Sequence, residues 1–257
     1  MKQKYHSMRF CAVFIFFSIT LGAQQTVHID PTGGGGFELI NPSTNWHFPI
    51  NHWEYYSPYL KTKNQWTIGT KAGGTSGTIR AAYVTNDRAA IPQHPYSYSS
   101  AATATHFYKD VEILPLHTQI ELSFKWKCTG NSNDGMRVWL VPITFSPTNG
   151  MTITANGTAP TGRIRIGLAH YSNSLNWSNA SITIPSVYAG TTFRLAVEWR
   201  NDDSTANQSP IAIDDISLIS RCAGKTWNGS ANTDWNNANN WTPFGVPTNL
   251  NCVTIPT

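Results

Sequence analysis

The segment 210–219 alternates apolar and polar residues as a β-strand does, but the alternation changes phase halfway along it. Two isoleucines before the acidic pair Asp214-Asp215 share one parity, and Ile216 and Leu218 after the pair have the opposite parity. A shift of one residue turns a strand over, so both halves face the same core only if the chain bulges between them. The sequence therefore predicts a bulged strand with two adjacent carboxylates at the bulge.

These two carboxylates need partners, because an unpaired buried charge is costly. Hydrogen-bond donors from a turn would satisfy them, and so would a cation. Calcium, which takes carboxylate and carbonyl oxygens, fits such a position. Both alternatives stay open at this point.

Alternation with a period of two recurs elsewhere in the chain and predicts the fold class. Clear runs lie at 120–128, 163–168 and 193–200, and Gly, Pro, Asn and Asp are frequent in the segments between the predicted strands. No segment shows an apolar period of 3.6 residues over the length of a helix. Many short antiparallel strands, each with one wet face, indicate an all-β sandwich or barrel.

The N-terminal residues read as a targeting segment. Residues 1–23 combine a basic start, an apolar run of about a dozen residues and a small-residue cleavage site, which is typical of a signal peptide and too short for a membrane span. We expect a secreted or cell-surface protein without a membrane span. The run 24–36, with four consecutive glycines, is predicted to be a flexible leader.

Removing the signal peptide changes the charge of the chain. Three of the 18 basic residues lie in it and none of the 14 acidic ones, so the mature charge is near +1 (15 minus 14). A nucleic-acid partner is therefore not expected.

Residues 221–257 differ in texture from the rest, with three tryptophans among many asparagines. They are predicted to be a truncated Trp/Asn-rich β-module, and further domains of the same polypeptide are expected downstream. Cys222 and Cys252 flank this segment and are the expected disulfide, as export permits. Cys128 is left over and follows the inward parity of its strand, so we expect a buried thiol.

Eight stretches in order resemble a jelly-roll domain of exported proteins from Bacteroidetes-type bacteria, related to the MAM and cleaved-adhesin domains. They are GGFEL at 35–39, NQWTIG at 64–69, SG at 76–77 with AAYV at 81–84, THFYKDV at 105–111, LSFKW at 122–126, DGMRVWLVP at 134–142, YAGTTFRL at 188–195 and PIAIDDI at 210–216. The resemblance implies an antiparallel two-sheet jelly-roll sandwich over 37–220, and the tail resembles a Trp-Asn-Gly module found beside such domains. It also implies a structural Ca²⁺ held by Glu38 and Asp214, and the adjacent Asp215 is a further candidate ligand.

The resemblance implies adhesion or binding, and no catalytic residues are assigned. Trp46, Trp53 and Trp177 lie in predicted loops and are the ligand-binding candidates, whereas Trp126 and Trp199 have inward parity. We expect a non-catalytic adhesion module of a larger cell-surface protein that recognises a glycan or a surface protein. The alternative is an accessory module of an exported protease or glycoside hydrolase whose catalytic domain is absent from this chain.

Overall fold

The fold is described by a computed structural model that covers residues 25–43, 47–55, 64–75, 77–86, 96, 102–148, 150–204, 209–249 and 251–256. The predicted signal peptide and Trp46 lie outside the described residues. The strands are β1 (Gln25–Ile29), β2 (Glu54–Tyr55), β3 (Gln65–Gly69), β4 (Ala81–Thr85), β5 (Thr103–Glu112), β6 (Gln119–Cys128), β7 (Gly135–Val141), β8 (Ile164–Tyr171), β9 (Ser174–Ile184), β10 (Thr192–Asn201), β11 (Ala212–Arg221), β12 (Ala223–Trp227), β13 (Trp241–Thr242) and β14 (Asn251–Thr254). Short 3-10 turns lie at 49–51, 186–188 and 238–240. Within these ranges no helix has the length and apolar character needed to cross a bilayer.

Two antiparallel sheets form the main body. The six-stranded sheet has the order β3-β4-β11-β6-β9 with β1 added to β11, and the five-stranded sheet has the order β2-β5-β10-β7-β8. The predicted all-β fold, an antiparallel jelly-roll sandwich, is confirmed. The two inner faces share one apolar core, because alternate residues of every long strand point into it.

The core contains the large side chains that parity assigned to it. Trp126 and Trp199 are buried on the inner faces of β6 and β10, and Cys128 is buried beside them. Burial raises the pKa of the Cys128 thiol to about 12, so this cysteine is an inert core residue. Each large apolar side chain in such a core contributes roughly 1.5 to 3 kcal/mol.

The predicted bulge in β11 is confirmed. Asp214 pairs with Lys125 of β6 and Ser217 pairs with Ser123, so three steps along β11 match two along β6. Asp215 absorbs the extra residue with a positive φ of 51°. The isoleucines and leucine on both sides of the bulge are consequently all buried in the same core, at positions 211, 213, 216 and 218.

The described part of the predicted leader, 25–36, packs against the main body of the fold. Strand β1 pairs with β11, and the glycines after it pack against backbone. A Cβ on Gly35 would lie 1.9 Å from the carbonyl oxygen of Ile216, and a Cβ on Gly34 would lie 2.3 Å from that of Asn51. The glycine run therefore permits a close approach of two backbones, and the N–H of Ile216, freed by the bulge, donates to the Gly35 carbonyl at 3.0 Å.

The C-terminal segment forms a third, three-stranded sheet of the order β13-β12-β14. The Cys222–Cys252 disulfide joins the residue after β11 to β14, with the two Cα atoms 5.8 Å apart. Three tryptophan rings pack together, Trp235 lying 4.5 Å from Trp241 between ring centroids and Trp227 lying 5.0 Å from Trp241. Aromatic packing and the disulfide thus replace the extended apolar core that so short a segment lacks.

Candidate functional site

The acidic bulge lies under the loop that joins β3 to β4. Asp214 is fully buried, and its Oδ2 accepts hydrogen bonds from the Thr75 N–H and the Thr78 hydroxyl, both at 3.1 Å. Its Oδ1 accepts from the Asp215 N–H at 2.9 Å. No lysine or arginine among the described residues pairs with it, and burial raises the pKa of Asp214 to about 6.

The other two predicted metal ligands have protein donors of their own. Asp215 Oδ2 accepts from the Thr75 hydroxyl at 2.6 Å and forms an ion pair with Lys125 at 3.0 Å. Glu38 Oε1 accepts the backbone N–H groups of Ile79 and Arg80 at 2.9 and 2.7 Å. Each of the three carboxylates thus accepts hydrogen bonds from N–H or O–H groups of the protein itself.

This arrangement does not fit a calcium site, which needs six to eight converging oxygens. In the described parts of the chain, no group of three or more His, Cys, Asp or Glu side chains is placed to hold a metal ion. Calcium at Glu38, Asp214 and Asp215 therefore stays a prediction, and it would require the loop over the bulge to exchange its hydrogen bonds for metal ligands.

A broad cleft of about 870 Å³ lies beside the bulge on the outer face of the six-stranded sheet. Strand β9 presents Asn179 and Ser181 to it, directly across from Lys125 and Ser123 of β6. Ser217 of β11 pairs with Ser123 from the other side. These hydroxyl and amide groups can donate and accept hydrogen bonds, and the charged side chains of Glu38, Lys125 and Asp215 line the same cleft.

Trp177 lies on the same face, in β9 and not in the predicted loop. Strand β9 begins at Ser174, so Trp177 belongs to it. Trp177 and Asn179 are two residues apart in the strand and therefore share its outer face. The ring is half-buried, and the ammonium of Lys127 lies 4.8 Å from the ring centroid and 5.4 Å from that of Tyr96. The indole is consequently held in position on the outer face, two residues along β9 from Asn179 of the cleft.

Trp53 lies in a loop, as predicted, but its ring is buried and does not face outward as a ligand contact would. It is 1% exposed, its ring packs 5.0 Å from Phe107 between centroids, and its indole N–H donates to the Gly34 carbonyl at 2.9 Å. The indole satisfies a carbonyl of the glycine run, which sequence patterns cannot reveal because the two segments meet only in the fold.

Sequence reasoning missed a buried polar cluster on the outer face of the five-stranded sheet. Glu198 has outward parity in β10, yet it is fully buried. Its carboxylate accepts from the Trp139 indole N–H and the Ile153 N–H, both at 2.7 Å, and it pairs with Arg200 at 2.9 Å and with His106 at 3.3 Å. The segment between β7 and β8, which contains Ile153, covers this face.

The comparisons with known proteins were made at the level of sequence and of structure. The sequence matches no family model and no curated protein. Among solved structures, TmCBM61 in complex with beta-1,4-galactotriose is 12% identical, covering 74% of this chain and 97% of that one, with a TM-score of 0.40.

Two further structures are similar at the same level. The K1 cleaved adhesin domain of Lys-gingipain from Porphyromonas gingivalis W83 is 14% identical, with 76% and 97% of the two chains covered and a TM-score of 0.38. The Stig cyclase Fisc from Fischerella sp. TAU is 16% identical, with 77% and 100% covered and a TM-score of 0.43. These structures include a binding module and an enzyme, and at such values they carry no argument about what this chain does.

Proposed function

We propose that this protein is a non-catalytic extracellular binding module that holds a neutral sugar chain against the outer face of its six-stranded sheet. The observation that carries the proposal is the cleft of about 870 Å³ whose strands present Ser123, Asn179, Ser181 and Ser217 beside the half-buried ring of Trp177. Sugar hydroxyls both donate and accept hydrogen bonds, as these side chains do. An indole face packs against the apolar face of a pyranose ring.

The acids near the cleft support binding and not hydrolysis. A glycosidase needs a protonated acid and a second carboxylate on either side of the scissile bond. Asp214, with its raised pKa, is fully buried under Thr75 and Thr78 and does not reach the cleft. Asp215 and Glu38 both line the cleft, but Asp215 is paired with Lys125, and Glu38 is paired with Arg80 and accepts the N–H groups of Ile79 and Arg80.

Two observations support action outside the cell. The Cys222–Cys252 disulfide suits an oxidising compartment. The basic and apolar start of the chain, over 1–23, suits export.

The test is a panel of immobilised neutral polysaccharides with the full chain and its Trp177→Ala variant. We expect the variant to bind about two- to tenfold more weakly, since an aromatic contact is worth about 0.5–1.5 kcal/mol. Trp235→Ala removes an indole that is 44% exposed in the C-terminal module and should leave the affinity unchanged.

Absence of retention on every neutral polysaccharide would sink the proposal. So would equal losses in the two tryptophan variants, because the binding would then lie elsewhere. Release of new reducing ends from any polysaccharide by the purified chain would show that the protein is an enzyme and not a non-catalytic binding module.

A further inference from the structure

The outer face of the five-stranded sheet carries three arginines around one cleft. Arg137 of β7, Arg165 of β8 and Arg200 of β10 all have outward parity, on three strands that are neighbours in the sheet. They line a cleft of about 460 Å³ together with Trp139. No acidic side chain is among the described residues that line this cleft.

Arg200 is held in place from behind the cleft. Its guanidinium forms an ion pair with Glu198 Oε2 at 2.9 Å and donates to the Ile153 carbonyl. It also lies 6.0 Å from the ring centroid of Trp139, which itself donates to Glu198. The buried Glu198 carboxylate thus fixes the Arg200 guanidinium in the cleft. A ligand would therefore not lose free energy by ordering this side chain on binding.

The other two arginines are not neutralised. Arg165 is exposed and forms no ion pair with any described residue, and Arg137 makes only a long hydrogen bond of 3.5 Å to the Gly135 carbonyl. Burial lowers the pKa of Arg137, and the nearby Arg200 and Arg165 lower it further, while the charge of Glu198 acts in the opposite direction. Three guanidinium groups against the single carboxylate of Glu198 leave an excess of two positive charges (3 minus 1) at this cleft.

We propose that the cleft binds an oxyanion, a carboxylate or a sulfate, carried by an acidic polysaccharide. The planar fork of N–H donors in arginine matches the two oxygens of such a group, and it does so better than a lysine ammonium. Here several forks converge on one small cleft, so the site is built for a localised oxyanion.

A second depression supports a sugar polymer as the carrier. It has a volume of about 330 Å³, shares Arg137 and Arg200 with the cleft, and continues past Asn133 and Thr152. Neutral amide and hydroxyl groups next to the cations suit the hydroxyls of the same polymer. Asp202 also lines this depression, and its carboxylate already accepts from Asn133 and Ser204.

This site lies on the opposite sheet from the proposed neutral-sugar cleft. It rests on the proposed function only in taking a polysaccharide as the carrier of the anion. The two can therefore fail separately: Trp177→Ala should weaken binding to neutral polysaccharides and leave binding to acidic ones unchanged.

The experiment measures binding of the full chain to polygalacturonate, to dextran sulfate and to uncharged dextran over a range of sodium chloride concentrations. We expect binding to at least one of the two anionic polymers, whichever carries the preferred oxyanion, and its affinity should fall as salt rises. The variant Arg137→Ala/Arg165→Ala should lose at least tenfold in that affinity. Circular dichroism and thermal melting establish that the variant is folded.

Two control variants separate the cleft from net charge. Arg80→Ala/Arg221→Ala removes the same number of charges from arginines that already pair with Glu38 and Glu121, and its affinity should stay within twofold. Arg137→Lys/Arg165→Lys keeps the charge but removes the fork, and it should lose affinity by several fold.

Four results would overturn the proposal, and the last two concern the choice of polymer. One is equal losses in the cleft variant and the paired-arginine variant. Another is full affinity in the lysine variant, which would mean that charge alone binds the polymer. The third is the absence of binding to both anionic polymers, and the fourth is tighter binding to duplex DNA than to either.

Discussion

Asp214 and Glu198 are both fully buried carboxylates on the outer faces of the two sheets, yet their pKa values move in opposite directions. Burial raises the pKa of Asp214 to about 6, because its hydrogen bonds come from neutral N–H and O–H groups. Burial also opposes ionisation of Glu198, but hydrogen bonds from His106 and Arg200 outweigh it and lower its pKa. Burial alone therefore does not decide the charge of a buried acid; the charge of its partners does.

The largest expected effect comes from removing the better-satisfied acid. Glu198→Ala leaves the donors of Arg200, His106 and Trp139 buried without their acceptor. We expect a loss of about 3–5 kcal/mol in the free energy of unfolding, measured by denaturant titration. If the loss is no larger than that of Glu121→Ala, an exposed acid paired with Arg221, the two acids do not differ as described.

A smaller effect is expected from the pH dependence that Asp214 introduces. Its folded pKa of about 6 lies above its ordinary value of 3.8, so the native state keeps this proton longer than the unfolded chain does. The contribution of Asp214 to stability is therefore full below about pH 4 and is lost as the pH rises through 6, a difference of roughly 2–3 kcal/mol. Unfolding free energies at pH 4 and pH 7 for the wild type and Asp214→Asn check this, since the advantage of the wild type should shrink as pH rises.

The pH dependence of stability, together with melting in the presence of a chelator, tests the calcium prediction. A bound cation would favour the ionised carboxylate and reverse the sign of this pH dependence. Removing a metal present at a hundred times its dissociation constant would cost about 2.7 kcal/mol at pH 7. An unchanged melting temperature with and without a chelator would remove calcium from this site.

The smallest effect is expected at the exposed edge of the same bulge. Lys125 and Asp215 form an ion pair at 3.0 Å, and their side chains are 35% and 21% exposed. Lys125→Ala should cost less than about 1 kcal/mol, because water screens the pair and Asp215 keeps the hydroxyl of Thr75. A double-mutant cycle with Asp215→Ala measures the coupling energy between the two side chains. A coupling above about 2 kcal/mol would show that this pair behaves like the buried ion pair of Glu198 and not like an exposed one.

The alternation of apolar and polar residues within single segments predicted which side chains of each strand face the core. The bulge followed from a change of phase in 210–219, and the burial of Trp126 and Trp199 followed from alternation along one strand. Both features are properties of a single segment, which must put its apolar side chains into one core whatever its neighbours are.

The candidate sites were much less predictable. Trp53 is a loop residue, as predicted, but it is buried, and its indole N–H donates to the Gly34 carbonyl nineteen positions away. Glu198 looked like part of a wet face, but the segment containing Ile153 covers it. The arginine cleft needs three strands that are far apart in the chain, and no spacing within one strand reveals such a meeting.

The amino-acid sequence by itself determined the all-β class, the phase change at the acidic pair and which strand faces are apolar, because these follow from a period of two and the cost of exposing apolar surface. Only the tertiary structure decided which polar groups are dry, which arginines share a cleft and which glycines meet another backbone. The physical reason is that hydrogen bonding and charge compensation act between atoms a few ångströms apart. Strand order and the loops that cross the sheet faces decide which atoms come that close. No local sequence pattern predicts either of them.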